Sequence, residues 1–472
     1  MRRRDFLSVL TMAPAAAAAR RKPNFVFILI DDYGWKDTGF NGSTFYETPH
    51  IDRLARSGMI FTDGYSASPV CSPTRAALMT GRYPARLHLT AHLQGASNRY
   101  HFTKVLPPNA RLELPLEEIT IAEALRQQGY RTACIGKWHL GAKGFLPAEQ
   151  GFDVVAGGDE AGSTNSFFFP AWQKKVPLEG RAGDYLTDRL TDLAVEFIAQ
   201  SKDRPFFLYL PHFAVHTPIE GKPEKVRKYA ERARPGENPQ HYDEYAAMIE
   251  SVDESVGRVM AELEKHQLTE NTVVIFTADN GGVSSREWKN RPVTSNLPLR
   301  AGKGHVYEGG IRVPTVVSWR SRIRAGSVCS DPVLTVDYAP TIAELAGAKL
   351  PPVDGRSIAK LLSGGSLPAR DIFWHYPHYS PQLGRPAAAI RNGDYKLILF
   401  FEDQRVELYN LRHDLGEQQD LAAREPARAA AMRQRLESWL RTTKAQIPQP
   451  NPKHEPAREL ELGPPTGPVT AK

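Results

Sequence analysis

A chain of 472 residues, 41% hydrophobic and 24% charged, is long and apolar enough to bury a large core, which excludes wholesale disorder. The formal charge of +7 is modest and lies partly in Arg2, Arg3 and Arg4. No Lys/Arg stripe with interleaved aromatics follows, so nucleic acid is not expected as a partner, whereas a small basic pocket for an anion is compatible with the charge.

In chain order, residues 1–22 read as an export signal. Arg3-Arg4-Asp5-Phe6-Leu7 has a twin-arginine pattern, and the apolar stretch Phe6–Ala19 ends in small residues suited to cleavage. A periplasmic or extracellular location is therefore expected. The stretch is too short to span a bilayer, and no cysteine nearby would carry a lipid anchor, so no membrane anchor is expected. Three cysteines, Cys71, Cys134 and Cys329, are too few for a disulfide framework. The runs Asn24–Ile30, Arg131–Ile135, Pro205–Leu210 and Thr272–Thr277 are β-rich and apolar without alternation, as in strands buried on both faces. Helical patterns at Ile119–Gln128 and Tyr242–His266 lie between them. This alternation predicts an α/β fold with a largely parallel central sheet. Residues 23–365 are expected to form the catalytic domain. Residues 366–445 change character: Ala387–Ile390, Tyr395–Phe401 and Val406–Tyr409 read as short strands, with a hairpin turn at Asn392-Gly393-Asp394, before a helix over Glu425–Lys444. That is a small antiparallel subdomain with a helix packed on it. Residues 446–472 form a Pro-rich tail, expected to be extended or disordered from Pro448 on.

The chemistry is carried by polar residues placed just after the buried runs. Asp31 and Asp32 follow the first; Asp279 and Asn280 follow another; Lys137 and His139 follow a third; His216 lies past a fourth. Sites in open α/β sheets form at the carboxyl ends of strands. Asp31, Asp32, Asp279 and Asn280 offer only oxygen donors, which suits Ca2+, or less well Mg2+, rather than Zn2+. Taken alone, Asp31-Asp32 could equally be a turn whose acids cap helices. Within Cys71-Ser72-Pro73-Thr74-Arg75, Ser72 reads as an N-cap and Pro73 as the first helical residue, with Gly81 at the helix end. Cys71 therefore stands before a helix N-terminus, where an anion is favoured, and Arg75 can turn back toward that anion.

Cys71-x-Pro73-x-Arg75 followed by Ala76 to Arg82 resembles the signature of the formylglycine-dependent sulfatases of the alkaline phosphatase superfamily. Gly129–Thr132 through Gly136–Gly141, Thr277–Gly282, Gly302-Lys303-Gly304 and Glu308–Pro314 are similar to further blocks of that family, and the likeness runs from about residue 24 to about residue 443. The resemblance implies an alkaline-phosphatase-like α/β sandwich, a calcium ion on Asp31, Asp32, Asp279, Asn280 and residue 71, and oxidation of Cys71 to formylglycine by a formylglycine-generating enzyme. A twin-arginine substrate crosses the membrane folded, so oxidation is expected before export. It further implies that Arg75, Lys137 and Lys303 grip the sulfate, that His216 or Lys303 protonates the leaving alcohol, and that His139 helps expel sulfate by taking a proton from the second hydroxyl. His212 competes with His216, and a solvated loop lysine is the plain alternative for Lys303. His305, Asp159 and Ser163 could also reach the site. The expected substrate is a sulfated saccharide attacked from its end, small aryl esters being accepted as well. Trp374–Tyr379 reads as a loop either presenting aromatics to a sugar or packing over the sheet, and Ser285–Arg300 and Ile219–Pro239 could wall the pocket. A phosphodiesterase or phosphonate monoester hydrolase, and a non-catalytic glycan-binding protein with unmodified Cys71, are the rival functions. Oligomeric state is left open.

Overall fold

The computed structural model describes residues 22–93, 101–232, 240–285, 292–459 and 461. All of the expected export signal except Lys22 lies outside these residues, as do parts of the two expected pocket loops. Eight strands form one sheet in the order Ser327–Cys329, Met59–Phe61, Val316–Ser318, Thr272–Ala278, Asn24–Ile30, Phe206–Pro211, Arg131–Ile135 and Val154–Ala156. All neighbours run parallel except Val316–Ser318, which is antiparallel to both of its partners.

The unbroken apolar run of Asn24–Ile30 has a direct cause. Val26, Ile28 and Ile30 enter a core shared with the helices Leu186–Gln200 and Asp243–Lys265. Phe25, Phe27 and Leu29 enter a second core with the helices Cys71–Thr80, Ile121–Gln127 and Tyr338–Ala346. Helices thus cover both faces, and every residue of the strand is buried. The helix Ile121–Gln127 starts at a reciprocal cap: Thr120 Oγ1 accepts from Glu123 N at 3.1 Å, and Glu123 Oε2 accepts from Thr120 N at 2.8 Å.

The small antiparallel sheet is Asp371–Tyr376, Ala387–Asn392, Tyr395–Phe400 and Val406–Asn410 in chain order. Its first strand corrects the reading of Trp374–Tyr379 as a loop for Trp374–Tyr376, whereas Pro377–Tyr379 do lie in a loop. Trp374 and Tyr376 are fully buried beneath it, and Trp374 Nε1 donates to the Ser66 carbonyl at 2.8 Å, so these rings are not presented to a sugar. Helix Pro426–Thr442 packs Ala429, Met432, Leu436 and Leu440 on the other face. The tail is tied down in part: Gln449–Pro450 pairs with Val105–Leu106, and Pro456–Arg458 forms a 3-10 turn. Among the described residues no helix is long and apolar enough to cross a membrane.

Between the two sheets lies a buried charge network. Lys396, on Tyr395–Phe400, has no exposure and stands 2.9 Å from both Glu308 Oε1 and Glu417 Oε1. Glu308 Oε2 accepts from Arg312 Nε and from the Tyr65 hydroxyl, both at 2.7 Å, and Arg312 and Arg391 share Asp63. Burial and repulsion from Glu308 push Glu417 up to about 7 against the pull of Lys396. Removing one member of such a network leaves a buried charge without its counterion. Lys396→Met is therefore expected to cost about 3–5 kcal/mol in denaturant unfolding of the full chain; a loss below about 1 kcal/mol, the size of an exposed ion pair, would contradict this account.

Candidate active site

The parallel register aligns the strand ends: Ile30 is level with Ala278, and Leu29 with Pro211 and Thr277. The ladder continues past the strands, with Asp31 N on Ala214 O, Asp279 N on Ile30 O and Lys137 N on Pro211 O. Asp31, Asp32, Asp279 and Asn280 are thereby carried to one place on rigid backbone. Asp32 and His139 adopt left-handed conformations (φ 58° and 57°), uncommon for residues with a Cβ and characteristic of functional sites.

The helix starts at Cys71 itself, with Val70 at the cap, two residues before the expected start. Ser72 is not the cap; its hydroxyl accepts from Leu93 N at 3.2 Å. Gly81 does close the helix in the left-handed region. Cys71 is 3% exposed, and its sulfur lies within 4.8 Å of ligand atoms of Asp31 and Asp279. Burial pushes its thiol up to about 11, so the plain cysteine is protonated at neutral pH and a poor nucleophile.

Each buried acid has a cation. Arg75 donates from Nε and Nη2 to Asp279 Oδ2 at 2.9 and 2.7 Å and from Nη1 to the Lys137 carbonyl at 2.8 Å. Lys137 Nζ donates to Asp31 Oδ2, and Lys303 Nζ to Asp32 Oδ2 at 2.7 Å. His216 Nε2 stands 3.6 Å from Asp32 Oδ2, whereas His212 turns away to Ser255 Oγ at 3.0 Å. His139 Nε2 meets the Leu93 carbonyl at 3.2 Å, and its Nδ1 is buried without a partner. All ten predicted site residues thus converge, Lys303 among them rather than solvated. Of the further candidates, His305 Nε2 meets Gln382 O at 2.9 Å and Ser163 Oγ accepts from Lys175, while Asp159 touches the site only through its carbonyl, which accepts from His139 N.

The electrostatics differ from acid to acid. Burial raises Asp32, but Lys303 and His216 outweigh it and hold the carboxyl below its ordinary value. For Asp31, burial and the neighbouring Asp279 outweigh Lys137, and its carboxyl is pushed up to about 8. Burial and Lys303 push His216 down to about 3; burial and Lys137 push His139 well below its ordinary value. Among the described residues Asp31 Oδ1 and Asn280 Oδ1 are buried and accept no hydrogen bond. Three carboxylates and one amide oxygen, with these two atoms unpaired, form a donor set that fits a hard divalent cation such as calcium.

Two supports were not visible in the sequence. Asp37, fully buried, accepts from Gly34 N, Thr294 Oγ1 and the Tyr245 hydroxyl, and that hydroxyl lies 3.3 Å from the Asp32 carbonyl, bracing the metal-side loop on helix Asp243–Lys265. The turn Glu308-Gly309-Gly310 lies backbone to backbone against the loops carrying Asn280 and Lys303: Gly281 N donates to Gly310 O, and Gly309 N to Arg300 O. A Cβ on Gly281 would fall 1.8 Å from Gly309 O, and one on Gly310 2.0 Å from His305 O. Beyond the local partners Gly34 N and Arg312, Asp37 and Glu308 act through groups from distant segments, so nothing in the sequence marks these supporting roles.

Comparison with known proteins agrees with this arrangement. The family model described as Sulfatase matches residues 23–348, and that described as N-sulphoglucosamine sulphohydrolase, C-terminal, matches residues 301–446. A sulfatase of Formosa agariphila is 35% identical over 89% of this chain and 89% of its own length. Arylsulfatase A of Homo sapiens is 36% identical over 83% and 78%. The crystal structure of Ps i-CgsB superposes with a TM-score of 0.77 at 32% identity, covering 89% of this chain and 93% of that one; it has also been solved in complex with k-i-k-neocarrahexaose, with a TM-score of 0.76 at 31% identity over 93% and 96%.

In the chelated protein Asp31 holds a proton up to about pH 8, where the unfolded chain would have lost it near 3.8. The metal-free fold is therefore expected to lose stability as pH rises from about 4 to about 8. Calcium must displace that proton, so its affinity, titrated calorimetrically from pH 6 to 9, should climb about tenfold per pH unit and level off above about pH 8. A pH-independent affinity would show that Asp31 carries no proton for the metal to displace.

Proposed function

This chain belongs to the formylglycine-dependent sulfatases, sulfuric ester hydrolases of the alkaline phosphatase superfamily, and we propose that it removes sulfate from the ends of sulfated carbohydrates. The observation that carries the reading is the ring of Asp31, Asp279 and three buried cations around residue 71, which is consistent with a calcium-coordinated formylglycine. The carbohydrate assignment is supported by similarity to a protein solved with an oligosaccharide.

When present, calcium supplies divalent positive charge, and the hydrated aldehyde at position 71 supplies an oxygen nucleophile. The chain's own groups do the rest. Asp279 orients the nucleophile beside it and is itself oriented by Arg75. Arg75, Lys137, Lys303 and the first turn of Cys71–Thr80 hold the sulfate oxygens. Each lysine carries three donors, so Lys137 and Lys303 can keep their carboxylates and still reach an anion. Fixed in place before the substrate arrives, these groups stabilise charge without reorganising. His216 or Lys303, both next to Asp32, delivers a proton to the departing alcohol oxygen. The ester's negative charge offsets Lys303 and favours the charged form of His216. His139, neutral, accepts a proton at Nδ1 in the step that resets position 71.

The deciding experiment is desulfation of a panel of defined sulfated saccharides, with and without a calcium chelator, alongside an aryl sulfate and a phosphate diester. Turnover of at least one saccharide, loss with chelator, an aldehyde mass on the residue-71 peptide and a fall of at least about a thousandfold in Cys71→Ala are expected. A phosphate diester cleaved faster than every sulfate would assign the chain to phosphorus chemistry instead.

A further inference from the structure

The sulfate end of the ester is accounted for by cations; nothing yet reads the alcohol. The segment Thr90–Leu93 forms a wall of the site, fixed by three side chains. Leu93 N donates to Ser72 Oγ, next to Cys71, and Leu93 O meets His139 Nε2, both at 3.2 Å. At the other end Thr90 Oγ1 meets Nε2 of His378, in the loop after Asp371–Tyr376, at 2.9 Å. His92 sits between these fixings, close enough to feel the charges of Lys303, Lys137 and Asp32.

His92 differs from the structural histidines of this fold. His212, His375 and His378 are buried, and each commits Nε2 to a protein oxygen, its Nδ1 being unpaired like that of His92, so the uncommitted Nε2 is what sets His92 apart. Among the described residues neither ring nitrogen of His92 has a hydrogen-bond partner, and Nδ1 is buried. The same holds for Asp31 Oδ1, Asn280 Oδ1 and His139 Nδ1, the other orphan atoms of the site. A buried nitrogen left unpaired forgoes the hydrogen bond it would make in water, so the site gains when a ligand satisfies it. Burial and the two lysines keep His92 down at about 4, hence neutral at working pH, with one nitrogen a donor and the other an acceptor. A neutral group with both roles is suited to a hydroxyl; it adds nothing to the grip on an anion.

We propose that His92 determines specificity by hydrogen-bonding a sugar hydroxyl next to the departing oxygen. This rests on the carbohydrate reading above. An aryl sulfate has no such hydroxyl, so it provides the internal reference. In full-length, calcium-loaded protein, His92→Ala is expected to lower the ratio of kcat/KM for a sulfated saccharide over that for 4-nitrophenyl sulfate about tenfold, mainly through KM, as for the loss of one hydrogen bond to substrate. His92→Gln, which keeps a donor and an acceptor, should recover part of the ratio and covers the case of an Ala variant that folds poorly. A ratio unchanged in both variants, whatever happens to total activity, overturns the inference and leaves His92 structural. A wild type that hydrolyses the aryl sulfate but no saccharide of the panel overturns the carbohydrate reading, and this inference with it.

Discussion

Three carboxylates packed against one another and buried from bulk solvent is the constraint on which the rest of the site depends. Two like charges about 4 Å apart in protein repel by about 4 kcal/mol even at a generous effective dielectric. Here Asp31, Asp32 and Asp279 are all essentially unexposed. The fold answers with three buried cations from three different segments: Arg75 from the helix, Lys137 from the end of a strand, Lys303 from a loop. The arrangement holds negative charge in readiness for a divalent ion and positive charge in readiness for an ester's anionic end. The same groups that make the acids tolerable in the core are those that would meet sulfate.

The alcohol side is built differently. It has histidines rather than charges, and burial keeps His92, His139 and His216 neutral under the field of the lysines. A strong positive field draws in the anion, while neutral imidazoles beside it remain free to exchange protons or hydrogen bonds. Such a division separates the part of the site common to any sulfate ester from the part that can differ between substrates.

Much of this was legible in the sequence, for a physical reason. Strands buried on both faces leave an apolar signature such as Asn24–Ile30, and parallel strands deliver the residues at their carboxyl ends to one edge, so Asp31, Asp32, Asp279, Asn280, Lys137 and His139 could be grouped without coordinates. Cys71 and Arg75 were marked by their motif. Trp374–Tyr376 was misread because aromatics, a histidine and the adjoining Pro377 suggest a loop, whereas these three residues are all buried in the strand and show no alternation. Ser72 looked like a cap because the rule is local; its hydroxyl serves Leu93, 21 residues away. His92, Asp37 and Glu308 matter through partners brought in by the tertiary fold, and a linear pattern holds no trace of those.

The Glu308-Gly309-Gly310 turn bears on how such a protein can diverge. Its backbone supports both the Asn280 and the Lys303 loops, while Lys396 of the small sheet anchors the Glu308 side chain and Glu417, in the loop after that sheet, accepts from the Glu308 backbone N–H. The boundary visible in composition near residue 365 is consequently not a seam along which parts can be exchanged. A chimera joined there would bring a foreign cation and acid beneath the catalytic floor, and only donors matched at positions 396 and 417 would preserve it. Recombination among relatives is thus steered toward the outer loops, where new substrate-facing walls can be traded while the two sheets are inherited together.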